Sequence, residues 1–309
     1  MKKFFYFLLL VSLFSCNPET PSKPLIITSI FPLKDLIANI AGESFEVRAM
    51  IKPGESPHTY SPDTQDAKLL EQAVIFFKIG LSGLEVEQNM EKFVNSEKTK
   101  IYDVHDGIPL LPFAAHGHKH SHEDKHSPET IEPHGHHQEG HDPHIWLSPR
   151  NARQIIKNIK TALSELYPQQ KGIFDENFTK YDQELAALDQ EISELLKPLQ
   201  NNSFLEFHPA WTYFARDYQL TIAGAIQERP GHEDSTSLGE IKELMVHAKK
   251  MRAKAVFIEP QFNPELSKKI AAELGLGVAI LDPLGGSKDT DSYIKIIRIN
   301  TQNIIKAFK

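Results

Sequence analysis

The sequence predicts an α/β protein of two lobes, each a parallel-sheet domain with helices on its faces, joined by one long bridging α-helix. Three observations carry this. Apolar runs of strand length alternate with helix-like stretches through residues 25–104, the same alternation restarts at residue 203, and one apolar stripe at helical spacing runs between them. With 309 residues the chain has room for two domains of ordinary size, each burying a core of its own.

In chain order, LIITSI (25–30) reads as a strand and FPLKDLIANIAG (31–42) as a helix closed by Gly42. FEVRAMI (45–51) is a second strand, and SPDTQDAKLLEQA (61–73) a helix with polar N-cap candidates. VIFFKIG (74–80) and KIYDV (100–104) are two more strands around a weaker helix. A Pro/Gly/His tract then breaks the pattern over residues 106–142, and RNARQIIKNIKTALSELYP (150–168) resumes it as an amphipathic helix. From Phe174 the positions Phe178, Tyr181, Leu185, Leu188, Ile192 and Leu195 recur at steps of three and four until Pro198. That stripe covers about 24 residues, roughly 36 Å of helix and about the width of a domain.

Beyond it come the strand SFLEF (203–207), the helix PAWTYFARDY (209–218) and the strand LTIAGAI (220–226). A polar loop, QERPGHEDST (227–236), leads into the helix SLGEIKELMVHAKKM, with Ser237 and Glu240 at capping-box spacing. AVFIE (255–259) is a strand and NPELSKKIAAELG (263–275) a helix between Asn263 as N-cap and Gly275 as C-cap. GVAILD (277–282), a Gly-Gly loop and a terminal helix complete the chain. The expected divisions are residues 17–170 for the first lobe, 171–200 for the bridging helix and 201–309 for the second lobe.

The N-terminus belongs to another category. Lys2 and Lys3 precede FFYFLLLVSLF, too short to span a bilayer as a mature helix but suited to the apolar region of a signal peptide. The run ends in LFSC, and Cys16 is the sole cysteine, so an intrachain disulfide is excluded. LFSC resembles the bacterial lipobox, which implies a signal peptide at 1–16, a lipid anchor on Cys16 and a site of action outside the cytoplasmic membrane. Loss of residues 1–16 removes Lys2 and Lys3 and no acids, which leaves 32 basic against 41 acidic side chains, a net charge of −9. Charge of that sign argues against nucleic acid as a partner.

Ten of the 15 histidines fall between His116 and His144. Nine of them, His116 to His141, sit in a Gly/Pro/acid-rich stretch without the apolar content to fold by itself. His144 stands apart, in the apolar segment DPHIWLSP. Ligands of open α/β sheets bind at the carboxyl ends of strands, and three histidines occupy such places: His58 in PGESPHTYSP, His144, and His208 in FLEFHPAW. Asp282 in AILDPLGG is a fourth. Three imidazoles and one carboxylate, contributed by both lobes to the cleft between them, would make a tetrahedral N/O set suited to Zn²⁺.

The segments PHTYSP, DPHIWLSP, FHPAWTYFARDYQL and LDPLGG, in this order around a long mid-chain helix, resemble the bacterial metal-binding lipoproteins that supply zinc or manganese to ABC importers, most closely the zinc-specific ZnuA type. The resemblance covers nearly all of the mature chain. It implies His58, His144 and His208 as ligands, a metal between the lobes, an ABC permease as partner, and a monomer that carries its ion without chemistry. Manganese-binding relatives tend to place a carboxylate where this chain has His208, so the resemblance implies Zn²⁺ over Mn²⁺. For the fourth position Asp282 is the expectation, with Glu55 or water as alternatives. The His-rich stretch corresponds to a metal-collecting loop of zinc-type members, or else to a solvated linker.

Three rival readings accompany this one. A manganese importer component differs in cargo; an adhesin or periplasmic metal buffer differs in partner; a zinc-dependent hydrolase would use three ligands and an open position. Against the hydrolase, the HExxH match HEDKH (122–126) falls in the Gly/Pro/acid-rich stretch without the apolar periodicity of a zinc-binding helix, and no general base is evident beside the candidate ligands. Trp146, Trp211, Tyr213 and Phe214 read as packing around the ligand-bearing segments. His105 and His247 read as structural or exposed, and His232 and Glu233 as part of a solvated loop.

Overall fold

The computed structural model describes residues 23–113, 140–227 and 236–309. The expectations for Cys16, the signal peptide, most of the His-rich stretch, His232 and Glu233 fall outside the described residues.

The alternation of apolar and amphipathic runs becomes two four-stranded, all-parallel sheets. The first contains β1 (Leu25–Thr28), β2 (Glu46–Ala49), β3 (Ile75–Lys78) and β4 (Lys100–Asp103), in the order β2-β1-β3-β4. The second contains β5 (Ser203–Glu206), β6 (Thr221–Ala225), β7 (Ala255–Ile258) and β8 (Gly277–Ile280), in the corresponding order β6-β5-β7-β8. Parallel neighbours need crossovers, and helices supply most of them: α1 (Phe31–Ala41), α2 (Thr64–Leu70) and α3 (Glu85–Glu91) in the first lobe, and α6 (Thr212–Tyr218), α7 (Leu238–Lys250) and α8 (Glu265–Leu274) in the second. In each sheet the strand order reverses beside the first strand, which opens a crevice at the carboxyl ends there.

Local sequence explains the helix ends. Asp63 and Asp66 form a capping box at α2, and Ser237 and Glu240 form the expected one at α7. Gly42 and Gly275 end α1 and α8 at φ of 67° and 68°, where a side chain would be strained. At α8 the cap position falls on Pro264, one residue later than expected, while Asn263 Oδ1 still accepts the Glu265 N–H at 3.0 Å.

The long helix, α5 (Lys171–Leu196), follows α4 (Pro149–Leu166) and stops two residues before Pro198. It is no bare strut between lobes. It packs on α4, α1, α6 and the C-terminal α9 (Tyr293–Phe308), through a buried stripe of Phe174, Tyr181, Leu185, Leu188, Ile192 and Leu196. The stripe departs from the sequence expectation at its end: Leu195 is 46% exposed, and the neighbouring Leu196 is buried instead. A strict 3.6-residue period drifts relative to steps of three and four, so a run of several turns shifts the inward face by one residue.

One continuous core crosses both lobes, from Ile26 and Phe76 through Ile155 and Leu188 to Phe204, Phe257 and Ile304. A second, smaller core lies under α7 and α8. Polar ties reinforce the first. Asp35 on α1 accepts from Tyr181 Oη (3.2 Å) and from the Tyr293 N–H (3.0 Å), joining α1, α5 and α9. Burial is the main force raising the Asp35 pKa, and these hydrogen bonds act against it. Arg153–Asp182 and Arg298–Glu191 decorate the outer face of α5, at about 0–1 kcal/mol each.

Truncation of Leu188 to alanine, at a fully buried site, is expected to cost about 2–5 kcal/mol of stability. Leu195→Ala should change it by about 0.5 kcal/mol at most. Urea unfolding of the two variants separates the inward from the outward position; equal losses would contradict this packing of α5.

Candidate metal centre

His58, His144 and His208 meet. Their ligand nitrogens all lie within 4.8 Å of one another, and no described carboxylate oxygen completes the group at that distance. His144 Nε2 is 3.3 Å from His58 Nε2 and 3.2 Å from His208 Nε2. The loop after β2 brings His58, the segment between β4 and α4 brings His144, and the turn after β5 brings His208. Both lobes therefore contribute.

Two of the rings are fixed from behind. Asp142 Oδ1 accepts the His144 backbone N–H at 2.9 Å and faces His144 Nδ1 at 2.7 Å. Glu259 Oε1 faces His208 Nδ1 at 2.6 Å. The sheet dictates that second contact. β5 pairs with β7 so that Phe204 opposes Ala255 and Leu205 opposes Val256, and the same offset past the strand ends sets His208 opposite Glu259. A carboxylate at Nδ1 keeps the proton on that nitrogen and turns the Nε2 lone pair toward the cluster. Ser56 Oγ accepts the His58 N–H at 3.2 Å, and among the described residues nothing bonds the His58 ring from behind.

The Nε2 lone pairs of His144 and His208, aimed at one another across 3.2 Å, repel unless a cation lies between them. Two nitrogens each 2.0–2.1 Å from a tetrahedral Zn²⁺ lie about 3.3–3.4 Å apart. The observed separations therefore suit that ion.

Burial depresses the pKa of His58 well below the ordinary histidine value, and the neighbouring His208 and His144 charges push it the same way. Burial also lowers the pKa of His144, against the opposing pull of Asp142. Both effects favour the neutral imidazole that a metal needs.

Apolar side chains make much of the wall, beside Ser56, Glu259 and Gln261. Trp146, Phe262, Pro283 and Leu284 join the histidines around a cavity of about 10 Å³, the room of one water-sized sphere. Trp146 is held in place by donating to the Pro283 carbonyl at 2.8 Å, and Tyr293 Oη donates to the Trp146 carbonyl at 2.7 Å. Tyr213 Oη donates to the Asp142 carbonyl at 2.9 Å. The aromatic residues read from the sequence as packing thus also lock the histidine-bearing segment. Glu206 is fully buried with a pKa raised well above the usual range by desolvation. Its Oε2 accepts the Ala210 and Trp211 N–H groups and so braces the turn that carries His208.

Asp282 lies outside the group that meets within 4.8 Å. Its Oδ1 accepts from Gln261 Nε2 (2.9 Å) and from the Leu284 and Gly285 N–H groups (3.0 Å each), which shapes the Gly-Gly loop. Glu55 Oε2 accepts the Lys52 N–H within its own loop. Asp142, Glu259 and Gln261 were not singled out from the sequence. Glu259 ends a strand just as Asp282 does, and Asp142 stands two residues before His144, so both signals were present.

Residues 26–307 match the model of a protein family described as "Zinc-uptake complex component A periplasmic". The chain belongs to this family. It is 29% identical to the zinc-binding protein AdcA of Streptococcus pyogenes, over 98% of this chain but only 61% of that longer relative. It is 28% identical to the high-affinity zinc uptake system protein ZnuA of Yersinia pestis, over 96% of this chain and 95% of that one. The solved structure of a ZnuA deletion mutant with zinc bound superposes with a TM-score of 0.76 at 31% identity, covering 93% of this chain and 99% of that one. Two parallel-sheet lobes and a long helix are thus the architecture of this ZnuA family member.

In the metal-free protein His58 and His144 should stay unprotonated at pH values near 6.5, where a free histidine is half protonated. The unfolded chain takes up protons there that the folded form refuses, so stability should fall as pH drops through and below about 6.5. NMR titration of the ring protons and denaturant unfolding at pH 7.5 and 5.5 test both. Ordinary histidine titration, with flat stability, would contradict the burial of these rings.

Proposed function

We propose that the protein captures Zn²⁺ outside the cytoplasm and delivers it to the membrane permease of an ABC importer, without catalysing a reaction. The observation that carries the reading is the convergence of three imidazole Nε2 atoms, two of them backed by buried carboxylates, on a cavity of ionic size. Membership of the zinc-uptake family and the zinc-binding names of its relatives support the choice of cargo. Imidazole nitrogen suits zinc, while Mn²⁺ prefers a set richer in oxygen.

The same geometry speaks against a hydrolase. A catalytic zinc must seat a water and a substrate together. Here Trp146, Phe262 and Leu284 close around the space of one ion, and Asp142 and Glu259 face ring nitrogens at 2.7 and 2.6 Å instead of an attacking water. Anchoring to the membrane through Cys16 remains part of the proposal, resting on the LFSC motif.

Protein purified without chelating resin is expected to carry one zinc per chain and little manganese by elemental analysis. His208→Ala should abolish stoichiometric zinc. Glu259→Gln should weaken binding about 10–100-fold while leaving all three ligands in place. A deletion strain should fail under zinc starvation and recover on added zinc. Equal manganese and zinc in the parent would overturn the cargo assignment, and an unaltered zinc requirement in the deletion strain would overturn the import role.

A further inference from the structure

Gln261 lies just past the end of β7 and lines the cavity with the three histidines. Its side chain cannot be turned around. Asp282 Oδ1 already accepts from the Leu284 and Gly285 amides and so presents an acceptor to Gln261, which must offer Nε2 to it. That leaves Gln261 Oε1 on the other side of the amide, buried and without a hydrogen-bond partner. Leaving a buried carbonyl unpaired is unfavourable, so one beside a metal-sized cavity calls for an explanation.

The other buried oxygens at the site are placed less well. Glu259 Oε2 is also unpartnered, but its carboxylate is fixed at Nδ1 of His208, on the edge of the ring away from Nε2. Asp142 is fixed in the same way behind His144. Ser56 Oγ is engaged by the His58 N–H.

We propose that Gln261 supplies the fourth coordination position with a neutral oxygen, either its own Oε1 or a water held by Oε1, and that Asp282 is the positioning residue that aims the amide. The inference rests on the metal-carrier reading. Asp282 then belongs to the metal site at one remove: its charge is spent on three N–H donors, and the oxygen that reaches the ion carries none. The primary set stays neutral, three imidazoles and one amide or water oxygen, and gives a harder ion less to bind.

Cobalt(II) substitution tests this, because visible absorption reports the coordination of Co²⁺ directly. Gln261→Met keeps the length of the side chain and removes both amide groups. It is expected to shift the Co²⁺ bands and to weaken zinc about 10–100-fold, with the melting temperature of the metal-free protein unchanged. Asp282→Ala should move the spectrum in the same direction by freeing the amide to rotate. Asp282→Asn retains an oxygen acceptor for all three donors and should restore the parent spectrum. Titration of thiocyanate into the Co²⁺ protein separates the two sources: a bound water is displaced with a new band, and a directly bound amide is not. A Gln261→Met protein with parental Co²⁺ bands and zinc affinity within twofold of the parent would overturn the proposal. Stoichiometric zinc in His208→Ala would instead overturn the metal-carrier reading beneath it.

Discussion

Three imidazoles gathered on one small space, with the Nε2 lone pairs of His144 and His208 opposed, are an arrangement that the fold must enforce. A free histidine would turn its ring, take a proton or move into water. Here burial favours the neutral form of His58 and His144, and Asp142 and Glu259 hold the His144 and His208 rings by the nitrogen that faces away from the cluster. Behind the imidazoles stand two buried carboxylates, groups able to balance a divalent cation in surroundings where an unmatched charge would be costly. The arrangement is therefore complementary to the loaded state and uncomfortable without an ion.

Enforcement requires ligands from both lobes to be held in register with each other, and the rest of the fold answers to that requirement. The histidine-bearing segment before α4 is tied to the second lobe by Trp146 to the Pro283 carbonyl, by Tyr213 to the Asp142 carbonyl, and by Ser148 to Asp217. Asp35 ties α1 to α5 and α9. One core runs unbroken beneath all of these. A carrier whose two halves were joined only by a flexible segment could not keep nitrogens 3.2–3.3 Å apart in the absence of metal. The long helix matters for the surface it offers to its neighbours more than for its length.

Much of this was legible in the sequence because it rests on periodicity and on strand ends. The alternation of runs gave both sheets, and the strand-end rule selected His58, His144 and His208 although 150 residues separate the first from the last. Less legible was whatever depends on lateral register. Nothing along the chain says that β5 lies beside β7, and only that pairing brings Glu259 to His208. The strand-end rule also chose Asp282 as a ligand, since a carboxylate after a strand looks the same in sequence whether it faces an ion or caps its own loop. Its Oδ1 caps the loop that follows, where the turning backbone presents the Leu284 and Gly285 amides, and it stands outside the histidine group. The slip from Leu196 to Leu195 has a similar origin: two adjacent leucines satisfy the pattern equally, and the cumulative drift of a long helix chooses.

The histidines are not equivalent, and on the proposed reading the difference bears on how a bound ion would leave. His144 and His208 are nearly fully buried and anchored at Nδ1, whereas His58 is less buried, sits on the loop leading to α2, and among the described residues has no partner behind its ring. Bonds of 2.0–2.1 Å to Zn²⁺ tolerate little displacement, so moving one ligand by about an ångström breaks one of the primary contacts. A movement of that size is within reach of a surface loop, while opening the two lobes would disrupt a core that runs through both. The fold thus places the cost of rearrangement unevenly: high for His144 and His208, whose carboxylates and backbone are set in the common core, and low for His58. On the proposed zinc-carrier reading, holding and release would be governed by different parts of the same site, the two anchored rings defining where the ion sits and the third how firmly it is closed in.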